Sequence, residues 1–111
     1  MDIELLNKLK SEHGRVLMEF YATWCPHCRR MMPIVDEVEA RAKGKATVYR
    51  FDIDKNKELA DQFKVESLPT FIVFVAGEPV WRATGEMPES ELYHGLMHPD
   101  RPDNDEGAPL F

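Results

Sequence analysis

The strongest constraint on this chain lies where two unlike segments meet. Residues 16–22 are almost continuously apolar and β-rich, the pattern of a strand buried on both faces. The one exception is Glu19, in the middle. Directly beyond it, residues 26–42 carry Cys28, Met31, Met32, Val35, Val38 and Ala42 at three-to-four spacing, which marks the inner face of an amphipathic helix. Pro33 falls inside that helix and predicts a kink, because it removes one hydrogen bond and crowds the preceding turn. A buried strand that turns at once into a helix commits the chain to layered α/β architecture. The join itself reads Trp24-Cys25-Pro26-His27-Cys28.

The remaining segments extend this plan. Residues 47–53 read as a second strand, 57–63 as a short helix and 70–75 as a third strand. A turn at Ala76-Gly77-Glu78 leads to a fourth strand over 80–83, so the last two should pair as a hairpin. A final helix starts at Pro88, a residue suited to a first helical turn. It turns Leu92, Leu96 and Met97 inward, with Gly95 a modest weakness. At the other end, Asp2 caps a short helical run through Ile3, Leu5, Leu6 and Leu9, which Gly14 stops. The order α-β-α-β-α-β-β-α predicts parallel pairing for strands separated by helices and antiparallel pairing for the hairpin. The result is a mixed central sheet with helices on both faces. Residues 1–98 form one domain. Residues 99–111, rich in Pro, Asp, Asn and Gly, form an acidic tail expected to be disordered.

Bulk properties exclude several functions. With 111 residues, 43% of them hydrophobic, the chain can bury a core without a metal or disulfide staple. Its net charge of −6 argues against a nucleic-acid footprint. Half of that charge sits in residues 100–111, where Asp100, Asp103, Asp105 and Glu106 face only Arg101. No apolar run approaches the ~18 residues of a membrane span, and no signal-peptide pattern opens the sequence. A cytoplasmic monomer is the default expectation. A periplasmic or extracytoplasmic address would apply to a chain trimmed of its leader.

The chemistry concentrates at the two cysteines. Their short separation closes too small a loop to restrain the unfolded chain, so the spacing points to reactivity. Cys25 stands at a helix N-terminus, where unpaired N–H groups and the helix dipole stabilise an anion and lower a thiol pKa. Cys28 lies one turn on, on the same side, within reach of Cys25 and on the helix's buried stripe. Cys25 is therefore expected to be the exposed attacking thiolate and Cys28 the resolving thiol. The plainer alternative is two unrelated core cysteines. A zinc site would need further ligands, and no second C-x-x-C or H-x₃₋₅-H follows. His94 and His98 have i, i+4 spacing without a partnering motif and read as a solvent-facing pair, while His13 reads as surface charge. Trp81 and Tyr49 read as packing, and Met31-Met32 as half core and half surface. No metal or cofactor is expected.

Taken as an ordered set, these motifs resemble the thioredoxin family over roughly residues 3–98. The matching elements are F-Y-A-T-W-C-P-H-C at 20–28, Pro33, V-Y-R-F-D-I-D at 48–54, S-L-P-T-F at 67–71, and the glycines Gly77 and Gly85. The resemblance implies a protein dithiol–disulfide oxidoreductase acting on client proteins, recycled by a redox partner such as thioredoxin reductase. It implies that Pro69 is cis and lies beside the cysteines. Client peptide would lie in a groove between Trp24 and Pro26 on one side and Leu68, Pro69 and Thr70 on the other. In three respects the chain departs from the family. Pro26-His27 replaces the Gly-Pro of the common reductases and matches the bacterial periplasmic disulfide-forming oxidant, which leaves an oxidant or isomerase role open. Glu19 replaces a buried Asp, and the family's first β-strand has no counterpart.

Three further expectations follow. Glu19, if buried, should be protonated with a raised pKa and could take a proton from Cys28. Pairing with Arg50 would lower that pKa instead. His27 is expected to donate a hydrogen bond to the Cys25 thiolate and so raise the reduction potential. Two other readings remain at this point: a non-catalytic binding module, and a metal or iron–sulfur site bridging two chains through Cys25 and Cys28.

Overall fold

A computed structural model of the chain describes residues 14–99. The N-terminal helical run, the acidic tail beyond residue 99 and the missing first strand all fall outside the described residues.

Strand β1 (Arg15–Tyr21) forms as its sequence demands: Val16, Leu17, Met18 and Phe20 are fully buried and Glu19 is 3% exposed. Burial on both faces requires two covering layers and a place inside the sheet, and the order β2 (Ala46–Asp52), β1, β3 (Thr70–Val75), β4 (Glu78–Thr84) gives β1 a neighbour on each side. Strand β2 runs parallel to β1, with Arg50 beside Glu19 in the register. Strand β3 lies on the other side of β1 and antiparallel to it, with Phe71 beside Glu19. Strand β4 pairs antiparallel with β3 through a bulge at Val73/Phe74, next to Pro79. The hairpin turns at Ala76 (φ 52°) and Gly77 (φ 83°). Two successive positive φ values match the right-handed twist of the strands.

One pairing departs from the expectation. A helix precedes β3, yet β3 is not parallel to its predecessors. The helix concerned, α2 (Lys57–Gln62), has six residues and rises only about 9 Å. A strand of the length of β3 spans about 20 Å. The helix is too short to carry the chain back along the sheet, so β3 enters from the end where α2 leaves it.

Alternation along the strands sends apolar side chains to both faces. Leu17, Phe71 and Val73 meet Met31, Val35 and Val38 of α1 (Pro26–Arg41) and Leu92 and Leu96 of α3 (Glu89–Met97). Val16, Met18, Phe20, Ile72 and Phe74 meet Leu59 and Ala60 of α2. Each large side chain so buried contributes roughly 1.5–3 kcal/mol. Met31 is fully buried and Met32 is 53% exposed, as their places on the helix require. Helix α1 continues unbroken through Pro33, which faces outward.

Polar ties join the layers. Arg41 at the end of α1 donates to Glu89 at the start of α3 at 2.5 Å, and its guanidinium lies 3.8 Å from the Tyr93 ring centre. Arg15 of β1 donates to the Leu96 carbonyl at 3.2 Å, satisfying one of the acceptors that every helix end leaves open. Among the described residues no helix is long and apolar enough to cross a membrane.

Candidate active site

Cys25 is the N-cap of α1, with extended backbone (φ −92°, ψ 118°), and Pro26 fills the first helical position. Its own N–H donates to the Ala22 carbonyl at 3.2 Å, and its carbonyl accepts the first helical bond, from Arg29 at 3.1 Å. The backbone N–H groups of His27 and Cys28 lie in the first helical turn, where no carbonyl is available to them. The thiol form of Cys25 makes no capping hydrogen bond, so those donors are left for an anion.

The two thiols are unbonded and buried, Cys25 at 6% and Cys28 at 2% exposure. Cys25 is thus less open than its sequence position suggests, because Ala22 and the partly buried Tyr21, Ile53 and Leu68 pack around the pair. It still lines a surface cleft of about 580 Å³, together with Trp24, His27, Ser67, Leu68 and Glu86. Cys28 lies beneath.

The electrostatics separate the two sulfurs. Burial works against a Cys25 thiolate, but the N–H and thiol of Cys28, the N–H of His27 and the charge on Arg29 outweigh it, so the thiol sits below the ordinary range. Burial pushes Cys28 up to about 12 against the lowering effect of the Ala22 N–H, and the neighbouring Cys25 and Glu19 push the same way. Glu19 is raised from the ordinary 4.5 to about 7, first by burial and then by Asp36, with Arg50 opposing. Arg50 does not pair with Glu19 despite their register. Its guanidinium goes to Asp36 and Glu39, each at 2.8 Å, so the full lowering that pairing would bring is missing.

Around the cysteines, Trp24 is 60% exposed and its indole N–H donates to Asp54 at 2.9 Å, which fixes the ring at the cleft edge. The Leu68–Pro69 bond is cis, as the resemblance implied. Leu68 lines the cleft, while Pro69 and Thr70 are buried. Thr70 donates its hydroxyl to the Ser67 carbonyl at 2.6 Å, so it braces the loop and leaves the groove wall to Ser67 and Leu68. Pro26 is exposed on the helix side of the site.

His27 differs from expectation. Its ring Nδ1 lies 2.6 Å from a Glu86 carboxylate oxygen, and Arg30 grips the same carboxylate at 2.7–3.0 Å. The lowering of Cys25 comes from the His27 main chain, with the ring engaged elsewhere. Glu86 gave no signal in the sequence, nor did Glu66, which also lines the cleft. The only trace of Glu86 is its place after Gly85, in the segment that follows the closing hairpin.

The thioredoxin family model matches residues 3–98. Thioredoxin of Staphylococcus aureus is 40% identical over 83 residues, 75% of this chain and 80% of that protein. Among solved structures, mitochondrial thioredoxin 3 of Saccharomyces cerevisiae, in its oxidised form, aligns with a TM-score of 0.76 at 24% identity. That alignment covers 85% of this chain and 86% of the yeast protein. Chloroplastic thioredoxin z aligns at 0.78 and 24% identity, over 90% of each chain. These two likenesses concern the fold. With its cysteine pair at the head of α1 and a family match running through α3, the chain belongs to the thioredoxin family and is a dithiol–disulfide oxidoreductase.

Proposed function

We propose that Cys25 is the attacking thiolate and Cys28 the resolving thiol in the reduction of client-protein disulfides. The observation that carries this is the opposed displacement of two neighbouring thiols: Cys25 lowered on the cleft wall, Cys28 raised to about 12 beneath it. The Cys25 thiolate attacks one sulfur of a client disulfide, forming a mixed disulfide and releasing the other client sulfur as thiolate. That bond removes the Cys25 charge, which helps to hold Cys28 up. Cys28 then passes its proton to the Glu19 carboxylate and attacks the Cys25 sulfur. The client leaves with two thiols, and the chain keeps a Cys25–Cys28 disulfide. Two electrons have moved to the client.

A dithiol-bearing recycling partner, such as a thioredoxin reductase, would reverse the last state. The same steps run backward oxidise a client, and the potential sets the direction. The kinship with thioredoxins supports the reducing one. Both apolar cores close within one chain, which supports a monomer. A reducing compartment, the cytoplasm by default, suits a pair that works from its dithiol form.

The test is trapping. Cys28→Ser should accumulate mixed disulfides with client proteins through Cys25, and Cys25→Ser should trap none. Absence of trapped clients with both variants would remove the exchange mechanism.

A further inference from the structure

Three consecutive residues after β4 touch the cis-proline loop and α1. Gly85 N–H donates to the Pro69 carbonyl at 2.9 Å, and Met87 N–H donates to Met31 Sδ at 3.5 Å. Between them, Glu86 reaches α1. Arg30 Nε lies 3.0 and 2.9 Å from its two oxygens, Arg30 Nη2 lies 2.7 Å from Oε2, and His27 Nδ1 lies 2.6 Å from Oε2. Arg30 Nη2 is also 3.1 Å from His27 Nδ1.

The donor inventory decides how the ring is protonated. A neutral imidazole has one N–H and one lone pair, a guanidinium only donates, and an ionised carboxylate only accepts. The Arg30 hydrogen bonds and the His27 contact hold Glu86 down at about 2, so it is ionised. An oxygen lone pair 2.6 Å from Nδ1 requires the hydrogen to sit on Nδ1, since two lone pairs at that separation would repel. Arg30 and His27 are then two donors sharing one carboxylate, and their own 3.1 Å contact is proximity. The neutral ring keeps its lone pair on Nε2.

We propose that Glu86 is a positioning residue that fixes the His27 proton on Nδ1, so that the neutral ring has no hydrogen to give the Cys25 thiolate. The proposal rests on the reading of Cys25 as the attacking thiolate. A Pro-His pair between the cysteines would, with a free ring, favour the anion and hence the reduced form. Here Glu86 withholds that donor, and His27 acts on Cys25 through its backbone N–H alone. The reduced form is less stabilised than the motif suggests, and the potential is correspondingly lower.

The ring's tautomer can be read directly. Long-range ¹H–¹⁵N NMR of the reduced chain, at a pH where the ring is neutral, should show a protonated Nδ1 and a bare Nε2. In Glu86→Ala the proton should move to Nε2. At equilibrium with a glutathione buffer, Glu86→Ala should become roughly fivefold more oxidising, the worth of one net hydrogen bond. In a His27→Ala background the same substitution should change the equilibrium by less than about twofold, as exposed charges do. A wild-type ring protonated on Nε2 overturns the proposal. So does an equal shift in both backgrounds, because Glu86 would then act by charge alone, and so does no shift in either. Alkylation of the reduced wild type separates this from the underlying reading: Cys28 reacting faster than Cys25 would overturn the assignment of thiol roles, whatever the tautomer.

Discussion

Glu19 occupies a place where a carboxylate is expensive, and pH makes that measurable. The residue is 3% exposed, and burial raises its carboxyl from the ordinary 4.5 to about 7. Between those values the folded chain holds a proton that the unfolded chain has released. The contribution of Glu19 to stability is therefore fully present below about pH 4.5 and is lost as pH rises through 7, by about 3 kcal/mol in all. Glu19→Gln removes the titration but leaves a buried amide with imperfect partners, at a cost of about 1 kcal/mol. In urea unfolding, the wild type should be the more stable at pH 4.5 and the variant the more stable at pH 8, so the two curves cross. Parallel curves would mean that Glu19 is solvated or ion-paired in solution. The same variant should lengthen the life of a Cys25 mixed disulfide at pH 7, since the acceptor for the Cys28 proton is gone.

At the scale of elements, α3 shows how a residue that weakens a helix can be required by its neighbour. Gly95 lowers the helix-forming tendency of α3 by roughly 1 kcal/mol relative to Ala, and on an isolated helix Gly95→Ala would stabilise. Here a Cβ at Gly95 would lie 2.4 Å from the Trp81 ring of β4. A bulky ring packed against the core cannot yield that far without moving others. Gly95→Ala should thus destabilise by about 1–3 kcal/mol in spite of the better propensity, read as a lower urea midpoint with unchanged slope. The Trp81→Leu background should relieve most of that loss. A variant as stable as the wild type would show that Trp81 is free to swing aside. In the sequence Gly95 shows only its propensity and Trp81 only its bulk, because their contact depends on how α3 crosses β4.

The molecule as a whole is one sheet with a separate apolar cluster on each side, the α1–α3 side and the α2 side. Leu92→Ala in the first and Leu59→Ala in the second should each cost about 2–4 kcal/mol. With the sheet between them, the double variant should lose their sum to within about 0.5 kcal/mol. A larger discrepancy would show the two clusters repacking together. Much of this architecture could be read from the chain, because it rests on short-range pattern. The apolar run at β1, the three-to-four spacing of α1 and the Gly77 turn each encode their own element. The antiparallel entry of β3 was hidden because it depends on the length of α2 against the length of a strand. The site divides the same way. Cys25 and Cys28 announce themselves by spacing, whereas the Glu86 contact joins residues 59 apart in sequence and exists only once β4 and α1 have been brought together. The two tryptophans, finally, give the molecule its own optics. Trp24 stands in solvent beside Cys25, anchored by Asp54, while Trp81 is wedged against Gly95 between β4 and α3. No other indole is present in the chain. Emission from the solvated ring reports the bonding state of the sulfurs beside it, and emission from the wedged ring, shifted to the blue by its apolar surroundings, reports whether the helix is still docked. A single unlabelled sample therefore yields redox state and folding as two resolvable colours.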